Sequence, residues 1–182
     1  MGRTTVEPGP DYVIRAYRDS DAERLSDVEK RAAQLFAVHG YPDIAEAPAT
    51  RVEDFDAIAS QNRIFVAVHA QEGPAGFAIA GPVSSFLHLL ELSVAPEHGR
   101  RGLGGALLAA VVEASRAQGL EGVSLSTFRT LPFNGPFYAR HGFVELPLEE
   151  APEALKERFF AEIPPGVAAQ SRFLMLRRNT KI

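Results

Sequence analysis

A glycine-rich turn in the middle of the chain has the residue types and spacing that suit an anion such as phosphate. It follows an apolar run, Phe86–Val94, which predicts a buried strand closed by Pro96. The first turn of the helix predicted after it exposes unpaired N–H groups at the positive end of the helix dipole. Apolar residues recur about every 3.6 positions in that helix, at Leu103, Leu107, Ala110, Val111 and Ala114. The glycines that would let a ligand approach the main chain are Gly99, Gly102, Gly104 and Gly105.

Two common nucleotide-binding motifs fit this turn poorly. A dinucleotide fold has G-x-G-x-x-G after its first strand, but Leu107 stands at the third glycine position when the count starts from Gly102. A P-loop has a lysine directly after its second glycine, and the sequence has no lysine between Glu91 and Lys156. The turn therefore predicts a phosphate ligand without identifying it.

The turn resembles the acyl-CoA loop of the GNAT superfamily of N-acyltransferases. The family motif Q/R-x-x-G-x-G/A, after a V-x-P strand end, is matched by Val94-Ala95-Pro96 and Gly102-Leu103-Gly104, while Gly99 occupies the Q/R position. A later segment resembles the second signature of the family, an asparagine followed by F/L-Y-x-x-x-G-F. It contains Asn134 and Phe137-Tyr138-Ala139-Arg140-His141-Gly142-Phe143. The spacing from Asn134 to Tyr138 is shorter than is common in the family.

The resemblance implies that the protein transfers an acetyl group from acetyl-CoA to a primary amine of a small molecule or a peptide. Tyr138 is expected to protonate the departing CoA thiolate, and a main-chain N–H near Leu92 to Val94 is expected to hold the oxyanion. The alternative is a catalytically silent acyl-CoA-binding module that regulates through a partner. The cosubstrate is expected at Leu92, Val94, Arg100, Arg101, Gly102, Leu103, Gly104, Gly105 and Asn134.

Glu91 is the candidate general base for such a reaction. A free alkyl ammonium has a pKa of about 10.4, so an amine needs to lose a proton before it can attack. Glu91 interrupts the apolar strand, and simple alternation places it on one face with Leu89 and Ser93. A solvated or ion-paired strand carboxylate is the other interpretation. His88 lies on the opposite face and is expected to be a packed histidine.

Composition bounds the remaining classes of function. The chain has 182 residues and a net charge of −4, which argues against nucleic acid as a main partner. The sequence has no cysteine, which excludes disulfides, a Cys-ligated metal site and a cysteinyl intermediate, so we expect direct transfer in a ternary complex. No metal site is predicted. No apolar run is long enough to span a membrane and no signal core is present, so we expect a cytoplasmic protein; a homodimer is left open.

The order of predicted elements indicates an α/β fold with a mixed sheet. Residues 1–10 are predicted to be a flexible tail, and residues 11–182 a single acetyltransferase domain. The order is strand, two helices, three strands, helix, strand, helix, strand, helix, strand. The early strands can pair as an antiparallel meander, and the helix after the fourth strand allows a parallel crossover. The resemblance implies that the parallel fourth and fifth strands splay apart.

Sequence patterns also predict the bounds of the first two helices. Capping-box patterns, Ser20 with Glu23 and Thr50 with Glu53, predict where the first two helices begin. The first helix should end near Gly40, and a connection should follow over 40–49.

The resemblance implies an acceptor pocket built from residues 36–55 and 146–170. Acidic residues in or beside these regions would suit a cationic amine, or else form a solvated surface: Asp43, Glu46, Asp54, Asp56, Glu145, Glu149, Glu150 and Glu153.

Overall fold

The computed structural model describes residues 8–180 and contains seven strands and seven α-helices within that range. The strands are β1 Tyr12–Ala16, β2 Arg63–His69, β3 Gly73–Val83, β4 Phe86–Val94, β5 Gly122–Phe128, β6 Val144–Leu146 and β7 Arg172–Arg178. The helices are α1 Ala22–Ala32, α2 Gln34–Ala37, α3 Pro42–Glu46, α4 Phe55–Gln61, α5 Leu103–Ala117, α6 Gly135–Arg140 and α7 Glu153–Ala161. No helix in this part of the chain is both long and apolar enough to cross a membrane.

All seven strands belong to one mixed sheet, in the order β1-β2-β3-β4-β5-β7-β6. Strands β1, β2 and β3 pair antiparallel, as the predicted meander requires. Strands β4 and β5 pair in parallel, from Phe86 opposite Gly122 to Leu89 opposite Leu125. The ladder ends there, although both strands continue. The predicted fold class, including parallel fourth and fifth strands that splay, is confirmed.

Packing groups the chain into two compact units, and each has its own apolar core. The first unit contains residues 8–81 and 90–111, and the second contains residues 82–89 and 112–180. In the first, Phe55 of α4 meets Phe77 of β3 edge to face, with ring centroids 6.0 Å apart. In the second, Leu155 and Phe159 of α7 pack on Leu174 of β7. Residues 1–7 of the predicted tail lie outside the described residues, so the predicted division into tail and domain stays a prediction.

The prediction that Ser20 caps the first helix is wrong. Ser20 lies inside a 3₁₀ turn, and α1 begins two residues later, after Asp21. The buried carboxylate of Asp21 accepts hydrogen bonds from the Arg18 N–H, at 2.9 Å, and from both terminal nitrogens of Arg15, at 2.7 and 2.8 Å. An ion pair with β1 therefore decides where this helix starts.

The predicted Thr50 capping box is also wrong, because Thr50 bonds to α1 rather than to its own helix. Its N–H donates to Glu29 Oε2, at 3.2 Å, and its carbonyl accepts from Ser26 Oγ, at 2.7 Å. A 3₁₀ turn, Val52–Asp54, follows, and α4 starts only at Phe55.

The single first helix predicted to reach Gly40 is in fact two helices, α1 and α2, separated at Ala33. Gly40 has φ +88°, which ends the helical stretch. The predicted connection over 40–49 contains α3, with Pro42 in its first turn, where a missing N–H is harmless.

Two neighbouring phenylalanines of α7 offer a matched test of the second core. Phe159 is 1% exposed and Phe160 is 58% exposed. We expect Phe159→Ala to lower the free energy of unfolding by about 3–5 kcal/mol, because a cavity replaces the ring. Phe160→Ala should change it by no more than about 0.5 kcal/mol. Urea unfolding of both variants measures this, and equal losses would contradict the packing of α7.

Candidate active site

The glycine-rich turn follows β4 as a tight loop that begins with a 3₁₀ turn, Pro96–His98. The N–H of Gly99 donates to the Pro96 carbonyl at 3.0 Å, and a Cβ added at Gly99 would lie 3.0 Å from the same oxygen. This crowding explains a glycine at the Q/R position of the family motif. The next residue, Arg100, has φ +58°, and Gly102 has φ +81°. The left-handed conformation is uncommon for a residue other than glycine and is characteristic of functional turns.

Helix α5 starts directly after this loop, as predicted. Leu103 is buried and fixes the start of the helix, while Gly104 is half-buried and Gly105 buried. The first N–H groups of the helix have no partner within it, because the helical bonds start only with later residues. Arg100 and Arg101 are exposed beside this end of the helix. The predicted loop residues therefore lie together, with two exposed arginines beside the start of the helix.

Glu91 lies on β4, in the same unit as the loop, and is half-buried. The Ser93 hydroxyl donates to its Oε1 at 2.6 Å, which confirms that the two residues share a face of the strand. Burial raises the pKa of Glu91 to about 7, and the negative charge of Glu29 adds to the rise. Hydrogen bonds from Ser93 and from the Leu92 backbone act in the opposite direction. Glu91 is thus a carboxyl that changes charge near neutral pH.

Glu29 of α1 is a site residue that the sequence analysis missed. It is half-buried, accepts the Thr50 N–H and has a pKa raised by burial. It also acts electrostatically on Glu91, so two carboxyls of the first unit are coupled. A signal was present in the sequence, because Glu29 lies four residues after the buried Leu25, on the apolar face of α1.

The other two predicted site residues, Asn134 and Tyr138, lie in the second unit. Asn134 precedes α6, and its side-chain amide donates to Thr127 Oγ1 at 2.7 Å, which ties α6 to β5. Tyr138 is 8% exposed and its ring packs edge to face against Phe137 and Phe143, with centroids 5.1 and 5.8 Å away. Packing of this kind holds the tyrosine in one orientation.

His88 is a packed histidine, as predicted. It is fully buried, with Nδ1 2.9 Å from Ser124 Oγ and Nε2 3.2 Å from Glu162 Oε2. Burial alone would raise the pKa of Glu162, but the hydrogen bond and charge of His88, together with Ser126 and Arg158, lower it. This carboxylate stays ionised and structural.

Several of the acidic residues predicted near the acceptor have partners within the chain. Asp54 pairs with Arg51, and Glu145 pairs with Arg129, each at 2.8 Å. The Tyr17 hydroxyl donates to Asp56 at 2.8 Å. These contacts favour an ion-paired surface over a cation-binding lining at those positions.

Comparisons with known proteins agree with the two sequence motifs. A family model described as an acetyltransferase (GNAT) domain matches residues 60–145, which include both motifs. Among solved structures, the chain is similar to PaiA N-acetyltransferase from Thermoplasma acidophilum in complex with coenzyme A, with 19% identity and a TM-score of 0.69 over 92% of this chain and 99% of that chain. It is also similar to the ribosomal-protein-S18-alanine N-acetyltransferase from Escherichia coli, with 18% identity and a TM-score of 0.65 over 94% of this chain and 96% of that one.

A third structure has a longer chain. N-acetylglutamate synthase from Neisseria gonorrhoeae, complexed with coenzyme A and N-acetyl-glutamate, is 17% identical with a TM-score of 0.69, over 93% of this chain but 35% of that chain. At these identities the structures establish the shared fold, and the family model supports the resemblance of both motifs over the residues it matches. Residues 60–145 thus match an acetyltransferase domain of the GNAT superfamily, the family that both motifs resemble and one that uses acetyl-CoA.

Proposed function

We propose that the protein moves an acetyl group from acetyl-CoA to a primary amine by direct attack in a ternary complex. The observation that carries the proposal is Glu91, whose pKa of about 7 suits a general base, on the strand that leads into the phosphate-binding loop. The lack of cysteine supports direct transfer, because the usual thioester on the enzyme cannot form.

The loop residues fit the diphosphate of an acyl-CoA. The start of α5 offers main-chain N–H groups, the glycines there have no side chain to hinder a close approach, and Arg100 and Arg101 supply positive charge. When bound there, acetyl-CoA supplies the activated acetyl group and leaves as a thiol. Main-chain N–H groups near Leu92 to Val94 are our candidates for holding the oxyanion.

The first test is binding of the cosubstrate. We expect calorimetry to detect acetyl-CoA and CoA, and we expect Gly104→Glu to abolish that binding, because it adds bulk and negative charge where the phosphates approach. The matched control is Ala117→Glu, which adds the same charge at the exposed far end of α5 and should bind like the wild type. Binding of NAD without CoA would overturn the assignment.

Glu91 is proposed to accept the proton that the amine loses as its nitrogen bonds to the acetyl carbon. Glu29, the second carboxyl coupled to it, favours an acceptor that arrives as a cation, because two carboxyls stabilise positive charge between them. We therefore propose a cationic primary amine, on a small molecule or a peptide, as the acceptor class.

The base role predicts a pH profile. Because the ionised carboxylate is the active form, kcat/KM should rise as the pH is raised through about 7 and level off above it. Glu91→Gln should lower kcat by about 10²–10⁴-fold and remove this step in the profile. Glu113→Gln, at an exposed carboxylate of α5, is the matched control and should leave the profile unchanged.

A thiol-release assay against a panel of primary amines provides the measurement. If the Glu91→Gln variant keeps the rise in kcat/KM through about pH 7, another group is the general base. Tight binding of CoA with no turnover of any amine or protein extract would instead favour the alternative, a silent acyl-CoA-binding module.

Tyr138 is proposed to give its hydroxyl proton to the sulfur as the carbon–sulfur bond breaks. Its support is the match to the tyrosine of the second family signature and the packing that fixes its ring. Asn134 accepts the Tyr138 N–H through its carbonyl, at 3.0 Å, and so helps to place the tyrosine on α6.

Removing only the hydroxyl tests this role. Tyr138→Phe should lower kcat by about 10²-fold or more and change the affinity for acetyl-CoA little, because the ring remains packed. Initial rates and calorimetry measure the two effects, and thermal unfolding checks that the fold is intact. If kcat stays within a few-fold across the pH range, water or the product amine supplies the proton.

A further inference from the structure

A chain of polar contacts, which no step of the proposed reaction uses, joins the phosphate-binding loop to β1 and to the β2–β3 hairpin. Arg101 Nη1 donates to the Tyr12 hydroxyl at 3.0 Å, and this hydroxyl lies 2.7 Å from His98 Nδ1. On the other side of the imidazole ring, His98 Nε2 lies 3.5 Å from Glu72 Oε2. We call Tyr12, Glu72, His98 and Arg101 the loop clamp; all four belong to the first unit.

The direction of the hydrogen bonds follows from donor chemistry. A guanidinium can only donate, so the Tyr12 oxygen accepts from Arg101 and its single proton is available for His98. Nδ1 of His98 is then the acceptor, and the ring proton is on Nε2, which faces the carboxylate of Glu72. The hydrogen bonds from Arg101 to Tyr12 and from Tyr12 to His98 Nδ1 thus run in one direction, whereas His98 Nε2 makes no hydrogen bond within the described residues.

The clamp is rigid at its centre. His98 is 2% exposed, and its ring meets that of Tyr12 edge to face with centroids 5.8 Å apart. His69 packs against both rings, at 5.0 Å from Tyr12 and 5.5 Å from His98. The N–H of Glu72 donates to His69 Nδ1 at 3.2 Å, which fixes the turn that carries Glu72. His98, a buried residue of the loop, is thus held by a hydrogen bond at Nδ1 and by ring contacts with Tyr12 and His69.

We infer that Tyr12 and His98 are positioning residues that hold the loop and Arg101 in place for the diphosphate of acyl-CoA. The loop needs such support because Arg100 has a left-handed backbone, which persists only where the surroundings impose it. Glu97, next to His98, is held in turn by Arg31 of α1, which also contacts Asp27 at 2.9 Å. Exposed Arg101 would otherwise have to be ordered on binding, and ordering a long side chain lowers affinity. This inference rests on the proposed acyl-CoA binding.

The test compares two donors that differ in the diphosphate. Tyr12→Phe keeps the ring and removes the link, so we expect its Kd for CoA to rise about tenfold, the scale of one hydrogen bond to a charged group. The KM for S-acetylpantetheine, which has no diphosphate, should stay within about twofold of wild type, because no phosphate needs the clamp. Tyr17→Phe is the matched control: its hydroxyl donates to Asp56 in the same unit, and its loss should affect neither donor.

Variants of His98 provide a second, independent measurement. Asparagine can place an acceptor oxygen near the position of Nδ1, so His98→Asn should keep most of the CoA affinity, whereas His98→Leu should lose about tenfold. Equal Kd values for CoA in wild type, Tyr12→Phe and His98→Leu would overturn the inference. An equal loss with both donors would reduce the clamp to a purely structural role and overturn it as well. If calorimetry shows that the wild type itself does not bind CoA, the proposed function is wrong. That result differs from both outcomes that would overturn the clamp, because each of them requires a wild type that binds CoA.

Discussion

The burial of one carboxyl within β4 is the constraint on which the proposed chemistry depends. An ionised group loses its hydration when it is buried, so burial favours the neutral form unless partners replace the water. Glu91 receives hydrogen bonds from Ser93 and the Leu92 backbone, but its pKa still rises from 4.5 to about 7. The folded state therefore binds this proton more tightly than the unfolded chain does. The stability that the proton contributes is fully present below pH 4.5 and is lost as the pH rises through about 7. The ionised form of Glu91, which a general base needs, thus contributes less to the stability of the folded state than the neutral form does.

The glycine-rich loop after β4 depends on a different constraint, which acts on the backbone. A Cβ at position 99 would lie 3.0 Å from the Pro96 carbonyl oxygen, so that a side chain there would be crowded, and Arg100, the next residue, has a left-handed backbone although it is not a glycine. Strain of this kind is stable only if neighbouring groups hold both sides of the turn. Glu97 and His98 supply those contacts, through Arg31 and Tyr12. Side chains from α1 and β1 therefore help to determine the backbone conformation of the glycine-rich loop.

The parts of the fold that could be predicted from sequence are those set by local pattern. The bounds of β2 and β4 follow from apolar runs ended by turns, and α5 follows from its 3.6-residue spacing and the glycines before it. The starts of α1 and α4 could not be predicted in this way, because Asp21 is bound by Arg15 of β1 and Thr50 by Glu29 of α1, and capping-box patterns do not show these contacts. The loop and Glu91 were recognised because glycine spacing and a lone charge in an apolar strand are local signals. The electrostatic effect of Glu29 on Glu91 and the contacts of His98 depend on tertiary neighbours, and a sequence read one segment at a time does not show them.

Glu91 and Glu162 show why residue type and burial together still do not define a role. Both carboxyls are largely withdrawn from solvent, and in both cases burial acts to raise the pKa. Glu162 has His88, Ser126 and Arg158 as partners, and these outweigh the burial, so its pKa falls and its charge stabilises the fold. Glu91 has hydrogen bonds but also the like charge of Glu29, so its pKa rises. A carboxylate whose partners stabilise its charge in the folded state loses that stabilisation when it accepts a proton. A carboxyl left between charge states near pH 7 can accept and release a proton at little cost, and this physical difference identifies Glu91, and not the more elaborately bonded Glu162, as the candidate base.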